Sequence, residues 1–214
     1  MPFPQGVDQL TADGAYHMLA RAQAPEAGAR HISHLEIGQP DFPTFANIAQ
    51  AGITAIQNGH TRYTPPAGIP ALREAIARDA GQRRGLTIQA GQVVVAPGAK
   101  PLLFFPLLAL VQPGDEVIYP DPGFPTYLAA IQVAGGVPIP VPLSEEEDFT
   151  FDLARFDSAL SPRTRLVILN SPGNPTGGVM PLRALEHIAG QAARRDFWVL
   201  SDEIYARLVF DGNS

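Results

Sequence analysis

The 214-residue sequence contains no cysteine. Its absence excludes disulfide bridges, thiolate nucleophiles and cysteine-ligated zinc. Lysine is nearly absent as well, since Lys100 stands alone against fourteen arginines. Chemistry that needs an amine side chain is confined to that one position within these residues. No apolar run is long enough to cross a bilayer, and the greasiest stretch, residues 102–111, is interrupted by Pro106. Residues 1–10 carry no basic segment followed by an apolar one, so the chain is expected to be soluble and cytoplasmic. A formal net charge of -6, with scattered arginines, offers no basic stripe, so nucleic acid is not an expected partner. His31 and His34 form the one close histidine pair, without a carboxylate cluster beside them, and no metal is assigned.

What is present is a composition for packing. Hydrophobic residues make up 45% and charged residues 17%, enough for one large α/β domain or two small ones. From Gly91 onward, short apolar runs alternate with helical patterns, as in a mostly parallel sheet covered by helices. The spacing predicts strands over 93–96, 116–119, 137–141, 166–169 and 197–200. These runs are nearly continuous in hydrophobicity, which fits strands covered on both faces. Leu72, Ala75, Ile76 and Ala80 follow helical spacing after Pro70, as do Leu182, Leu185, Ala189 and Ala192 after Pro181. Residues 101–111 read as a buried helix in which Pro106 removes one hydrogen bond.

The first thirty residues have a different texture. They hold few large apolar side chains and the break Ala24-Pro25-Glu26-Ala27-Gly28, which predicts an arm with one short helix, packed against something outside the chain. The run Ser144-Glu145-Glu146-Glu147-Asp148 reads as a solvated loop. No internal repeat is visible.

Several polar segments follow predicted strands, where an open α/β sheet collects its ligands. Pro97-Gly98-Ala99-Lys100 follows the first strand and opens a helix, so free N–H groups and the helix dipole can hold a phosphate. A plain strand-to-helix turn would also account for it, and it matches neither the P-loop nor the dinucleotide fingerprint. Asp121-Pro122-Gly123-Phe124-Pro125 follows the second, with prolines that can hold Phe124 over a flat ring; a core aromatic is the bland alternative. In Asn170-Ser171-Pro172-Gly173-Asn174-Pro175-Thr176-Gly177, Asn174 is aimed by a rigid turn, although turn chemistry alone would explain it. Asp202 ends the last strand and Tyr205 follows three residues later. A carboxylate there can keep a pyridine nitrogen protonated, whereas helix capping is the ordinary explanation.

Taken in order, these segments resemble the class I aminotransferases, fold-type I pyridoxal phosphate enzymes, over essentially the whole chain. Gly38-Gln39-Pro40-Asp41-Phe42-Pro43, Arg62-Tyr63-Thr64-Pro65-Pro66-Ala67-Gly68 and Pro113-Gly114-Asp115-Glu116-Val117 complete the likeness. The resemblance implies a three-layer, mostly parallel sheet with helices on both faces: an arm or part of a small domain over 1–45, then a cofactor-binding domain over 46–214. It implies that Gly98, Ala99 and Lys100 hold the phosphate of pyridoxal 5'-phosphate, that Phe124 stacks on its ring, and that Asn174 and Tyr205 bond its phenolic oxygen. Asp202 would pair with the ring nitrogen, and Asp202 and Tyr205 would serve catalysis. Gly38 and Asn174 would meet the substrate, while Tyr63 would reach the phosphate of a neighbouring subunit in a homodimer.

The family places its covalent lysine, in a Ser-x-x-Lys context, after the Asp-x-x-Tyr element, followed by a phosphate-binding arginine and a small domain. The sequence reaches Ser214 before these. The expectation is an aminotransferase, exchanging an amino group between an amino acid and a 2-oxo acid, whose 214 residues alone do not turn over. Strands missing from the middle of the sheet would leave apolar edges exposed. Alternatives are a lyase, decarboxylase or cyclising synthase of the same fold, or a truncated, non-catalytic paralogue. A transcription regulator would need a DNA-binding domain ahead of the arm, for which residues 1–10 leave no room.

Overall fold

The computed structural model describes residues 14–26 and 31–210. They fall into two compact units, residues 18–98 and residues 99 onward, the latter joined by the segment ending at His17. Helix α1 (Gly14–Glu26) is the predicted arm helix and ends inside the Ala24–Gly28 stretch; the rest of the predicted arm lies outside the described residues.

The unit of residues 18–98 holds α2 (Ala46–Gln57) and α3 (Pro70–Arg84). Pro70 occupies the first turn of α3, where its missing N–H costs nothing, and Gly85 at φ +63° ends the helix with its N–H on the Gly81 carbonyl. The predicted strand over 93–96 is not formed. A strand needs a neighbour to take its backbone groups, and here the Val95 N–H donates to the Ala67 carbonyl at 3.0 Å. The Val93 carbonyl accepts from Arg73 Nε at 2.8 Å, so a turn and a side chain of α3 satisfy this segment instead.

The other unit is a three-layer sandwich. Strands β1 (Glu116–Asp121), β2 (Val137–Pro142), β3 (Thr164–Asn170) and β4 (Trp198–Asp202) pair in the order β2-β1-β3-β4, all parallel. They coincide with the four remaining predicted strands. Helices α4 (Lys100–Leu110) and α5 (Thr126–Val133) cover one face; α6 (Leu153–Ala159) and α7 (Leu182–Arg195) cover the other. Alternation along the strands divides the core accordingly. Val117, Leu166 and Ile168 pack with Leu103, Leu107, Tyr127 and Ile131, whereas Ile118, Val167 and Leu169 pack with Phe156, Ala184 and Ile188. Because β1 and β3 are covered on both faces, they read as continuous apolar runs rather than alternating ones, while β2 and β4 remain more exposed.

Helix α4 contains Pro101 in its first turn and Pro106 inside it, as predicted, and resumes its ladder so that the Val111 N–H reaches the Leu107 carbonyl. Asp152 caps α6 by accepting from the backbone of Ala154 at 2.8 Å and Arg155 at 3.3 Å. The acidic run is a single exposed 3-10 turn, Glu145–Glu147. Parallel pairing sets Asn170 opposite Asp202 and Asp121 opposite Pro142, so the carboxyl ends of the strands lie on one edge of the sheet.

Candidate active site

Along that edge lies a cleft of about 130 Å³ lined by Ala99, Lys100, Phe124, Asn174, Asp202 and Tyr205, together with Leu103, Tyr127, Asn170 and Ile204. Six sequence-predicted residues thus converge on one space. Gly98 precedes Ala99 in the chain at φ +83°, a left-handed conformation that favours glycine, but it does not line the cleft. Gly38 and Tyr63 belong to the unit of residues 18–98, where Tyr63 is fully exposed and nothing lies within 4 Å of a side chain built at Gly38.

Asp202 is held from two directions. Its Oδ2 accepts the Tyr127 hydroxyl at 2.7 Å, and its Oδ1 accepts the Ile204 N–H at 3.2 Å. The second contact is the turn capping that sequence alone would suggest. The first is an additional constraint, because Tyr127 is rooted in the core on α5 and almost wholly buried. Burial, and the carboxylate beside it, push the Tyr127 phenol well above its ordinary range, so it stays a hydrogen-bond donor at any physiological pH.

Phe124 stands edge-on to Tyr127, with ring centroids 5.7 Å apart. Lys100 Nζ lies 5.4 Å from the Phe124 centroid and 5.6 Å from that of Tyr16. A cation over Phe124 in this cleft means that the ring offers a π face to it. Asn174 Nδ2 approaches the Tyr205 hydroxyl at 3.5 Å, which brings both polar tips to one place. At the other end, α4 begins beside Ala99, where Pro101 has no N–H and the Leu102 N–H turns back to the Ala99 carbonyl at 2.9 Å, so the helix dipole and the Lys100 charge are what favour an anion there.

Sequence reasoning missed Tyr127 and the part played by the Asn170 side chain. Tyr127 sits three residues after Phe124, one helical turn on, which was the available signal; its partner is 75 residues away. Asn170 appeared only as the first residue of a motif.

The donor set suits pyridoxal phosphate. A carboxylate with lone pairs to spare, a π face, an amide and a phenol in reach of one another, and a helix N-terminus with a lysine match a pyridine nitrogen, a ring, a phenolic oxygen and a phosphate respectively. A parallel sheet with helices on both faces and a polar cleft outside its carboxyl edge is the architecture of an α/β ligand-binding domain.

The sequence profile of the family described as aminotransferase class I and II matches residues 30–214. Relatives include a probable aspartate/prephenate aminotransferase of Thermus aquaticus, 43% identical over 97% of this chain and 54% of that protein. Another is a bifunctional aspartate aminotransferase and glutamate/aspartate-prephenate aminotransferase of Petunia hybrida, 43% identical over 84% of this chain and 38% of that protein. Among solved structures, the aspartate aminotransferase of Thermus thermophilus with maleate superposes with a TM-score of 0.96 at 36% identity, covering 100% of this chain and 56% of that one. The chain belongs to the class I and II aminotransferases, a pyridoxal phosphate-dependent family. It spans about half the length of the relatives it matches.

Proposed function

We propose that this chain forms the cofactor-binding domain of an aminotransferase that moves an amino group between an amino acid, with aspartate the preferred donor, and a 2-oxo acid. The observation that carries the reading is the convergence of Ala99, Lys100, Phe124, Asn174, Asp202 and Tyr205 on one cleft. The names of the Thermus and Petunia relatives support aspartate as donor.

Pyridoxal phosphate, when bound, supplies a pyridinium ring that withdraws electrons from the substrate carbon. The chain's own residues make that possible. Asp202 holds a proton on the ring nitrogen, with Tyr127 fixing the carboxylate's direction. Phe124 supports the ring face, and Asn174 and Tyr205 donate to its phenolic oxygen. Gly98, Ala99 and Lys100 take the phosphate at the start of α4, which fits the position of Lys100 in the cleft. Asn174 and Gly38 meet the substrate.

Exposed Tyr63 serves the neighbouring subunit's phosphate in a cytoplasmic homodimer, within an arm over 1–45 and a cofactor domain over 46–214. Because Lys100 is the sole lysine and serves the phosphate, these 214 residues alone do not catalyse turnover. The full-length protein given pyridoxal phosphate, L-aspartate and 2-oxoglutarate should form glutamate. Release of carbon dioxide or ammonia without glutamate would point to a lyase and overturn the reading.

A further inference from the structure

Asn170 sits where the two chemistry-bearing segments meet. It is the last residue of β3, opposite Asp202 in the parallel register, and it precedes the turn that carries Asn174. Its half-buried amide uses both ends. Asn170 Nδ2 donates to the backbone carbonyl of Asp202 at 3.0 Å, and Asn170 Oδ1 accepts the backbone N–H of Asn174 at 2.7 Å. The chemistry of the two partners fixes how the amide faces, because a carbonyl can only accept and an N–H can only donate.

Among the described residues, no other side chain bonds both of these backbones. Asn174 Nδ2 meets Tyr205 only at 3.5 Å, at the limit of such a bond, so the loop's placement falls to its backbone. On the far side, the loop closes on itself through the Gly173 N–H to the Gly178 carbonyl at 2.9 Å and the Gly177 N–H to the Gly173 carbonyl at 2.7 Å. Those bonds make the loop a rigid body. The loop then meets the sheet through the Asn170 amide and a longer contact of the Ser171 N–H with the Asp202 carbonyl at 3.4 Å, while Asp148 and Phe149 back it at Gly178.

We propose that Asn170 is a positioning residue that sets the separation between Asp202 and Asn174, the nitrogen and oxygen ends of the ring site, through its amide bridge. This rests on the cofactor reading above and deepens it. Neither Asp, which keeps the acceptor but turns an oxygen toward the Asp202 carbonyl, nor Ala, which removes both contacts, can replace it.

The test uses the full-length protein and pyridoxamine 5'-phosphate, which needs no covalent bond, with inorganic phosphate as a competitor that reads the α4 end alone. Asn170→Ala, which loses both hydrogen bonds, and Asn170→Asp, which loses one and sets an oxygen against the Asp202 carbonyl, should each weaken pyridoxamine 5'-phosphate roughly ten- to thirtyfold. Phosphate affinity should stay within about twofold in the same proteins, since that end does not involve the bridge. Asn174→Ala should weaken the wild type about tenfold but matter little once Asn170 is alanine, because an untethered loop no longer delivers its side chain. The proposal is overturned if ring affinity is unchanged, if ring and phosphate affinity fall together, if the Asn170 and Asn174 effects simply add, or if neither variant folds. A folded wild type that binds no pyridoxamine 5'-phosphate overturns instead the cofactor reading beneath it.

Discussion

At the scale of single residues, Asp202 divides its two carboxylate oxygens between a turn and a phenol. The turn contact explains why an aspartate sits there at all, whereas Tyr127 explains why the carboxylate points where it does. On the proposed cofactor reading, replacing Asp202 with alanine would remove a charge-assisted hydrogen bond to the ring. It should weaken pyridoxamine 5'-phosphate about ten- to a hundredfold, measurable by fluorescence titration.

Tyr127 gives a second residue-level expectation. Its phenol is raised by burial and by Asp202, and that of Tyr119 by burial and Asp121. A phenol raised in the folded state keeps its proton where the unfolded chain has lost it, so its stabilisation is present below pH of about 10 and lost as pH rises further. In an ultraviolet titration, Tyr127 and Tyr119 should ionise late, and Tyr127→Phe should remove late-ionising absorbance. Five tyrosines ionising together would contradict this.

Asn174, Phe124 and Asp202 were legible because each lies beside glycine or proline, or at a strand end, where the backbone restricts its direction, and Tyr205 through its fixed spacing three residues after Asp202. Tyr127 was legible only through its spacing one turn after Phe124, since its partner Asp202 lies 75 residues away.

At the scale of elements, the first residue of β1 shows how the sheet is locked. Glu116 is buried, accepts from the Ser161 hydroxyl at 2.5 Å and from Arg163 Nε at 2.9 Å, and its N–H donates to the Arg163 carbonyl at 2.8 Å. Ser161 chiefly, with Arg163, holds the carboxyl below the usual carboxylate range despite burial. A depressed carboxyl stabilises the fold above its unfolded pKa, and that contribution is lost as pH falls through the folded value. Glu116→Gln should cost about 1–3 kcal/mol in urea unfolding at pH 7, with the gap to wild type closing in acid. A gap that persists unchanged into acid would contradict the assignment.

The loop carrying Asn174 is braced by another element. Asp148 and Phe149 adopt φ of 50° and 53°, a left-handed pair, and their carbonyls lie 2.7 and 2.6 Å from where a Gly178 side chain would begin. Gly178→Ala must therefore move backbone and should cost about 1–3 kcal/mol. Unchanged thermal unfolding would show that the two segments are not in firm contact.

The elements themselves were unevenly legible. Four strands announced themselves as apolar runs: β1 and β3 because helices bury them on both faces, and β2 and β4 although they stay partly exposed. Residues 93–96 have the same texture but no strand beside them among those described, and strand formation depends on that neighbour rather than on propensity. Helices α5 and α6 are too short, at 8 and 7 residues, to display a helical period of their own.

At the scale of the molecule, much apolar surface remains uncovered. Trp198 and Val199 on β4, and Ile48, Ile53 and Ile56 on α2, are all exposed. Surfaces of this kind are rare on monomers and mark contacts with other protein. The 214 residues alone should elute well above their 22.9 kDa in size exclusion and bind a hydrophobic dye. A monodisperse monomer with a sharp, cooperative melt would contradict that.

The fold family and the cofactor cleft thus rest on a sheet whose carboxyl edge gathers residues from distant parts of the sequence. The most direct measurement is a crystal of the full-length protein soaked with pyridoxamine 5'-phosphate. The account predicts its ring against Phe124, its nitrogen within hydrogen-bonding distance of Asp202, and its phosphate at the start of α4. A ligand bound elsewhere, or in this cleft with its phosphate against Asp202, would contradict it.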